Sequence, residues 1–121
     1  GDANRDFFRA LRAQGIKGST IPTLSFHISA EILQELDIES CTGDFVGWNY
    51  LPSIESEQNK AFLEKVKAKL GNDTIVNDSM EAGYYGVYLW AQAVREAKSF
   101  EPDKVLQAIK GRTYAAPGGA V

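Results

Sequence analysis

Residues 78 to 98 set the strongest constraint on what this chain can become. They read as one helix in which Met80, Tyr84, Val87, Tyr88, Ala91 and Val94 form a single face, while Trp90 adds bulk to another. A helix apolar over so much of its circumference needs cover on more than one side. Around it the elements run helix, strand, helix, strand, helix, long helix, helix and the start of a strand, an alternation that argues for an α/β fold. Two or three strands are too few to cover these helices. The missing strands are therefore expected from upstream sequence, downstream sequence or a partner chain.

The other elements follow from local chemistry. Asn4 is the expected N-cap of a first helix carrying Phe7, Phe8 and Leu11 at helical spacing, with Gly15 as its stop. Ile21 to Phe26 reads as a short strand, with Pro22 tolerable near its start. Ser29 caps a second helix, Ala30 to Leu36. Asp44 to Leu51 reads as a second strand that alternates Val46, Trp48 and Tyr50 against Phe45, Gly47 and Asn49, and Pro52 ends it. Ser56 to Leu70 is amphipathic, with Phe62, Leu63, Val66 and Leu70 inward and Gly71 after it. The long helix opens on Asp78-Ser79-Met80-Glu81, which has the form of a capping box. Pro102 suits the first turn of a last helix that turns Val105, Leu106 and Ile109 inward and stops at Gly111.

Composition excludes several function classes. Thirteen Lys and Arg against 16 Asp and Glu give a net charge of −3, and no basic stripe offers a nucleic-acid surface. No apolar run approaches the roughly 20 residues of a bilayer span. One cysteine, Cys41, forbids an internal disulfide, and one histidine, His27, leaves no His/Cys zinc site. No residue set implies a cofactor. The chain enters its first helix directly after Gly1, with no signal-peptide pattern, and closes on a turn and strand start at Pro117-Gly118-Gly119-Ala120-Val121. Both ends read as interior sequence, so a fragment of a longer protein is expected.

Catalytic patterns are thin. Ser25 and His27 would share a strand face, which invites a hydrolase reading, but there is no nucleophile elbow and no orienting acid in view. A polar pair at a strand end is the simpler account. Gly118-Gly119 precedes no helix and is a turn rather than a phosphate loop. The triplets at Asn72 and Asn77 fit a glycosylation pattern that matters only in a secretory eukaryotic setting. Cys41 has no histidine near it, and Lys65, Lys67 and Lys69 are a solvated face. The helix starts at Asn4 and at Met80-Glu81 are better candidates, because in open α/β sheets such starts follow loops at the carboxyl ends of strands, where small ligands bind.

Taken together, several blocks carry a family resemblance: Gly1-Asp2-Ala3-Asn4-Arg5-Asp6-Phe7-Phe8, Ile21-Pro22-Thr23-Leu24-Ser25-Phe26, Val46-Gly47-Trp48-Asn49-Tyr50-Leu51-Pro52-Ser53-Ile54, Asn59-Lys60-Ala61-Phe62, Met80-Glu81-Ala82-Gly83-Tyr84-Tyr85-Gly86-Val87-Tyr88-Leu89-Trp90, and Ala116-Pro117-Gly118-Gly119-Ala120-Val121. In this order the chain resembles the C-terminal part of type I periplasmic substrate-binding proteins of ABC transporters, the branched-chain amino acid receptor family, and within it the urea and short-chain amide receptors.

The resemblance implies a bilobal receptor of three-layer α/β/α lobes joined by crossing strands, incomplete in this chain. Residues 1–44 would belong to one lobe, 45–54 to a crossing strand, 55–112 to the other lobe and 113–121 to the start of the return crossing. It implies a non-catalytic periplasmic protein that closes on a small polar amide such as urea, or on an amino acid, and delivers it to a membrane permease. No nucleic acid, metal or cofactor is implied. Asp2, Ala3, Ser25, Phe26, Met80 and Glu81 would fall at the cleft between the lobes. Glu81 would serve either as the capping-box carboxylate, bonded back to the Asp78 N–H, or as an acceptor for the N–H groups of urea. Two rivals stand beside this reading: a cytoplasmic amide-sensing regulator of the same fold, and a fragment of an α/β hydrolase acting through Ser25 and His27. Open strand edges and apolar faces also lead us to expect either that so short a chain is part of a larger polypeptide or that its copies associate.

Overall fold

A computed structural model describes residues 2–26 and 28–121, Asp2 by its backbone alone. His27 lies outside the described residues, and with it the expected pairing of Ser25 with His27. The chain divides into two units, Gly1–Leu51 and Pro52–Val121. The architecture is mixed α/β.

The first unit contains α1 (Asp2–Ala13), β1 (Leu24–Ser25), α2 (Ala30–Gln34), α3 (Ile38–Cys41) and β2 (Phe45–Val46). Helix α1 is already helical at Asp2, so Asn4 lies inside it and is not its cap. Its buried contribution is Phe8, which joins Ile28 and Leu36 in a small core flanked by Ile32, Leu33 and Cys41. Phe7, one residue earlier and so about 100° around the helix, is 54% exposed. The short helix α3 has no counterpart in the expected element order.

Strands β1 and β2 pair in parallel, Leu24 opposite Phe45 and Ser25 opposite Val46. Both are far shorter than the expected six- and eight-residue runs. The reason lies in where the backbone donors go. Phe45 and Gly47 donate to the Thr23 and Ser25 carbonyls at 2.8 Å, whereas the Thr23 N–H is taken by the Asp44 carboxylate at 2.7 Å. Pro22 has no N–H to give, and the ladder closes at its amino end. Before β2 the chain makes a close backbone crossing: a Cβ on Gly18 would stand 2.8 Å from the Asp44 nitrogen, and one on Gly43, itself at φ +102°, would stand 2.7 Å from the Gly18 carbonyl oxygen. Only glycine fits either position.

The second unit contains α4 (Glu57–Leu70), α5 (Asp78–Ala97), α6 (Pro102–Ile109) and an antiparallel hairpin of β3 (Ala115–Ala116) and β4 (Gly119–Ala120). These helices match the expected spans to within a residue or two. Ser56 caps α4 by accepting from the Asn59 N–H, and Pro102 occupies the first turn of α6. Helices α5 and α6 pack together, with Ala93 and Val105 buried, while Phe62 and Val76 are the other large buried apolar groups. Tyr88 at 43% and Trp90 at 48% exposure depart from the core role their spacing suggested, and Val87 and Leu106 are open as well. Within the unit a two-stranded hairpin is too small to cover three helices.

Candidate functional site

The start of α5 departs from the expected capping box, and the departure defines the site. Asn77 stands at the N-cap, accepting from the Met80 N–H at 3.0 Å. With Asn77 as the cap, Glu81 falls one residue past the position from which a capping-box side chain reaches back. Its carboxylate instead accepts from the backbone N–H of Gly118 at 3.0 Å, 37 residues along the chain. Glu81 is 4% exposed. Among the described residues its second oxygen has no protein donor. That oxygen keeps some access to solvent, so water or an approaching N–H can reach it. Met80 beside it is exposed.

Two more buried or half-buried polar residues meet the same turn. Ser56 Oγ donates to the Pro117 carbonyl at 3.1 Å while accepting from the Asn59 N–H at 3.0 Å. The Asn59 side-chain amide, 1% exposed, donates to the Pro52 carbonyl at 3.0 Å and the Ile54 carbonyl at 2.8 Å. The first turns of α4 and α5 therefore hold both the entry into the second unit and the β3–β4 turn.

In the first unit, Ser25 ends β1 and Phe26 follows it, while Gly47 and Trp48 follow β2. These are the carboxyl ends of adjacent parallel strands, the edge at which open α/β sheets bind ligands. Ser25 is half-buried and lines a cavity of about 290 Å³ walled mainly by Phe8, Ile28, Leu33, Leu36 and Val46. Phe26 is 62% exposed, and its ring lies over Gly47, where a Cβ would come within 3.1 Å. Ala3 is exposed in the first turn of α1. The expected site residues thus fall into two sets, Ala3, Ser25 and Phe26 in the first unit and Met80 and Glu81 in the second, all at element ends.

The β1–β2 edge is held from behind by a group that the sequence gave no sign of. Arg12 of α1 and Asp44 form an ion pair with side chains 13% and 10% exposed. Asp44 also accepts from the Thr23 hydroxyl at 2.9 Å, and Arg12 donates to the Ile16 carbonyl at 2.8 Å. Burial alone would lower the Arg12 pKa, but its contacts with Cys41 and Asp44 outweigh that and hold it above the ordinary value. The partners are 32 residues apart, so no local spacing signals the pair.

On the second unit, a column of rings climbs from Phe62 of α4 through Tyr84 and Tyr88 of α5 to Tyr114, with centroid separations of 4.8, 4.9 and 5.4 Å. The Lys65 ammonium reaches the Tyr84 hydroxyl at 3.3 Å. Burial pushes the Tyr84 phenol up, yet hydrogen bonds with Tyr88 and Lys65, together with the lysine's charge, leave it below its ordinary value. Tyr88 is raised by its bond to Tyr84, Tyr114 by burial first, and Lys65 by its bond to Tyr84. Among the described residues no His, Cys, Asp and Glu cluster could hold a metal ion, and no helix is long and apolar enough to cross a membrane.

Parallel strands opening toward one edge in the first unit, and a buried carboxylate at a helix start in the second, belong to an α/β architecture. Comparison with known proteins is more specific: the periplasmic binding protein domain matches residues 1–121, and the chain belongs to that family. Leu/Ile/Val-binding protein homolog 6 of Brucella melitensis is 25% identical over 127 residues, covering 100% of this chain and 32% of the relative. Its counterpart in Brucella abortus is 26% identical over 121 residues, covering 95% and 30%. A limonene hydroxylase of Geobacillus stearothermophilus is 25% identical over 73 residues, 60% of this chain and 13% of that protein. The chain thus spans at most about a third of the length of these relatives. The family is of the substrate-binding type.

Proposed function

We propose that the chain is part of the substrate-binding component of an ABC transporter, which takes a small polar amide, urea foremost, in the cleft of a two-lobed periplasmic receptor and hands it to a membrane permease. In this reading residues 1–44 belong to one lobe, 45–54 to a crossing strand, 55–112 to the other lobe and 113–121 to the start of the return. Asp2 and Ala3 at the start of α1, Ser25 and Phe26 at the carboxyl end of β1, and Met80 and Glu81 at the start of α5 face the ligand. The observation that carries the reading is Glu81: a buried carboxylate with one oxygen on the Gly118 N–H and the other without a donor. Urea presents four N–H donors and one carbonyl, and a charge-assisted bond to a carboxylate is the strongest its donors can make.

A second reading takes a branched-chain amino acid as ligand. It draws on the names of the Brucella relatives, Leu/Ile/Val-binding protein homologues. The α-ammonium group of an amino acid would satisfy Glu81 equally well, so the two ligands are separated by measurement. Calorimetric titration of the polypeptide that carries this chain, with urea, acetamide and leucine in turn, distinguishes them. Urea and acetamide are expected to bind and leucine to give no heat. Tight leucine binding without a response to urea would overturn the amide assignment and leave the family unchanged.

A further inference from the structure

Three polar side chains at the base of the second unit share a geometry that ligand contact does not require. Asn59 holds the carbonyls of Pro52 and Ile54, the first residues of the unit. Glu81 holds the Gly118 N–H. Ser56 joins the two by accepting from the Asn59 N–H and donating to the Pro117 carbonyl. Segments 65 residues apart in sequence, at Pro52 and Pro117, are therefore tied to the first turns of two helices through one run of hydrogen bonds. Asn59 and Glu81 are nearly sealed from water. Buried polar groups are costly unless paired, so the bonds that pair them narrow the geometries these segments can take.

We infer that Ser56, Asn59 and Glu81 act as one clamp that fixes residues 52–54 and the 117–118 turn to the starts of α4 and α5. The clamped segments move as a single body with the second unit. Ser56 and Asn59 are positioning residues: they act through the carbonyls they hold. The clamp stands on its own geometry and does not rest on the receptor reading.

Residue-resolved amide exchange on the polypeptide that carries this chain tests the clamp. A cap confined to α4 and a clamp differ at Gly118. With Ser56→Ala, a clamp predicts that exchange at the Gly118 amide rises about tenfold or more, although Ser56 makes no bond to that amide; Ser56→Thr, which keeps the hydroxyl, restores protection. Asn59→Asp, which removes the donor while keeping the size, is expected to raise Gly118 exchange in the same way. If the increase in Ser56→Ala stays within the first turn of α4, the three residues are separate local contacts and the clamp is wrong.

Discussion

Two demands meet on the Glu81 carboxylate, and conservative substitution separates them. Glutamine keeps an acceptor for the Gly118 N–H but replaces the second oxygen with a donor. Glu81→Ala leaves that N–H unpaired in a buried place, so it is expected to cost about 1–3 kcal/mol of stability, read from guanidinium unfolding, while Glu81→Gln costs far less. At the same scale, the hydrogen bond with Tyr88 and then the bond and charge of Lys65 hold the Tyr84 phenol below its usual range against burial. Lys65→Met is expected to move the earliest tyrosine ionisation, followed by ultraviolet absorbance, upward in pH; an unchanged titration would show that the lysine does not bear on that phenol. The sequence placed Glu81 at the head of the long helix but assigned it to a capping box, because an acidic residue three positions after an Asp fits that motif. Asn77, one residue earlier, is the better cap, and Gly118 lies too far along the chain for any local pattern to find.

Elements were legible in proportion to how much of their stability is local. Helices α4, α5 and α6 show themselves through 3.6-residue periodicity, capping and the Pro102 start, all carried by neighbouring residues. The strands were legible only as β-prone runs. Their true extent depends on which carbonyls a partner offers, and β1 and β2 offer each other only two residue pairs. The edge they form leans on the Arg12–Asp44 pair. Removing one member leaves the other buried and unpaired, so Asp44→Ala is expected to destabilise by about 3–5 kcal/mol, and Arg12→Leu similarly, whereas the double variant should recover part of the loss. Additive losses in a double-mutant cycle would mean the two do not interact. The ring column on α5 gives a pH signature. Tyr88, Tyr114 and Lys65 hold their protons more firmly when folded, so the stability they lend is full below about pH 10 and drains as the pH climbs through their raised folded values. Tyr84, lowered on folding, works in the opposite sense: its contribution grows as the pH climbs from its lowered folded value and is full above its unfolded one. The Tyr84 and Tyr88 shifts are opposite sides of one shared bond, so the alkaline loss rests on Tyr114 and Lys65: the melting temperature is expected to fall above about pH 10, and Tyr114→Phe should flatten that fall. A variant as alkali-sensitive as the parent protein would remove Tyr114 from the account.

For the molecule as a whole, the family was legible in the ordered set of blocks, whereas the cover for Val87, Trp90 and Leu106, which stay open among the described residues, was not. Exposed apolar faces of this kind recruit other surfaces. The isolated 121-residue chain is therefore expected to self-associate in sedimentation velocity, and a sharp monomer boundary at all concentrations would contradict this. The central claim, that the receptor takes a small amide through the open oxygen of Glu81, is tested most directly by titrating urea into the polypeptide that carries this chain and into its Glu81→Gln variant while recording the ligand-free melting temperature of both. The account predicts that the two melt together and that the variant binds urea about tenfold or more weakly, about 1.4 kcal/mol. A variant that binds urea as tightly as the parent protein, or a parent protein that gives no heat with urea, would contradict it.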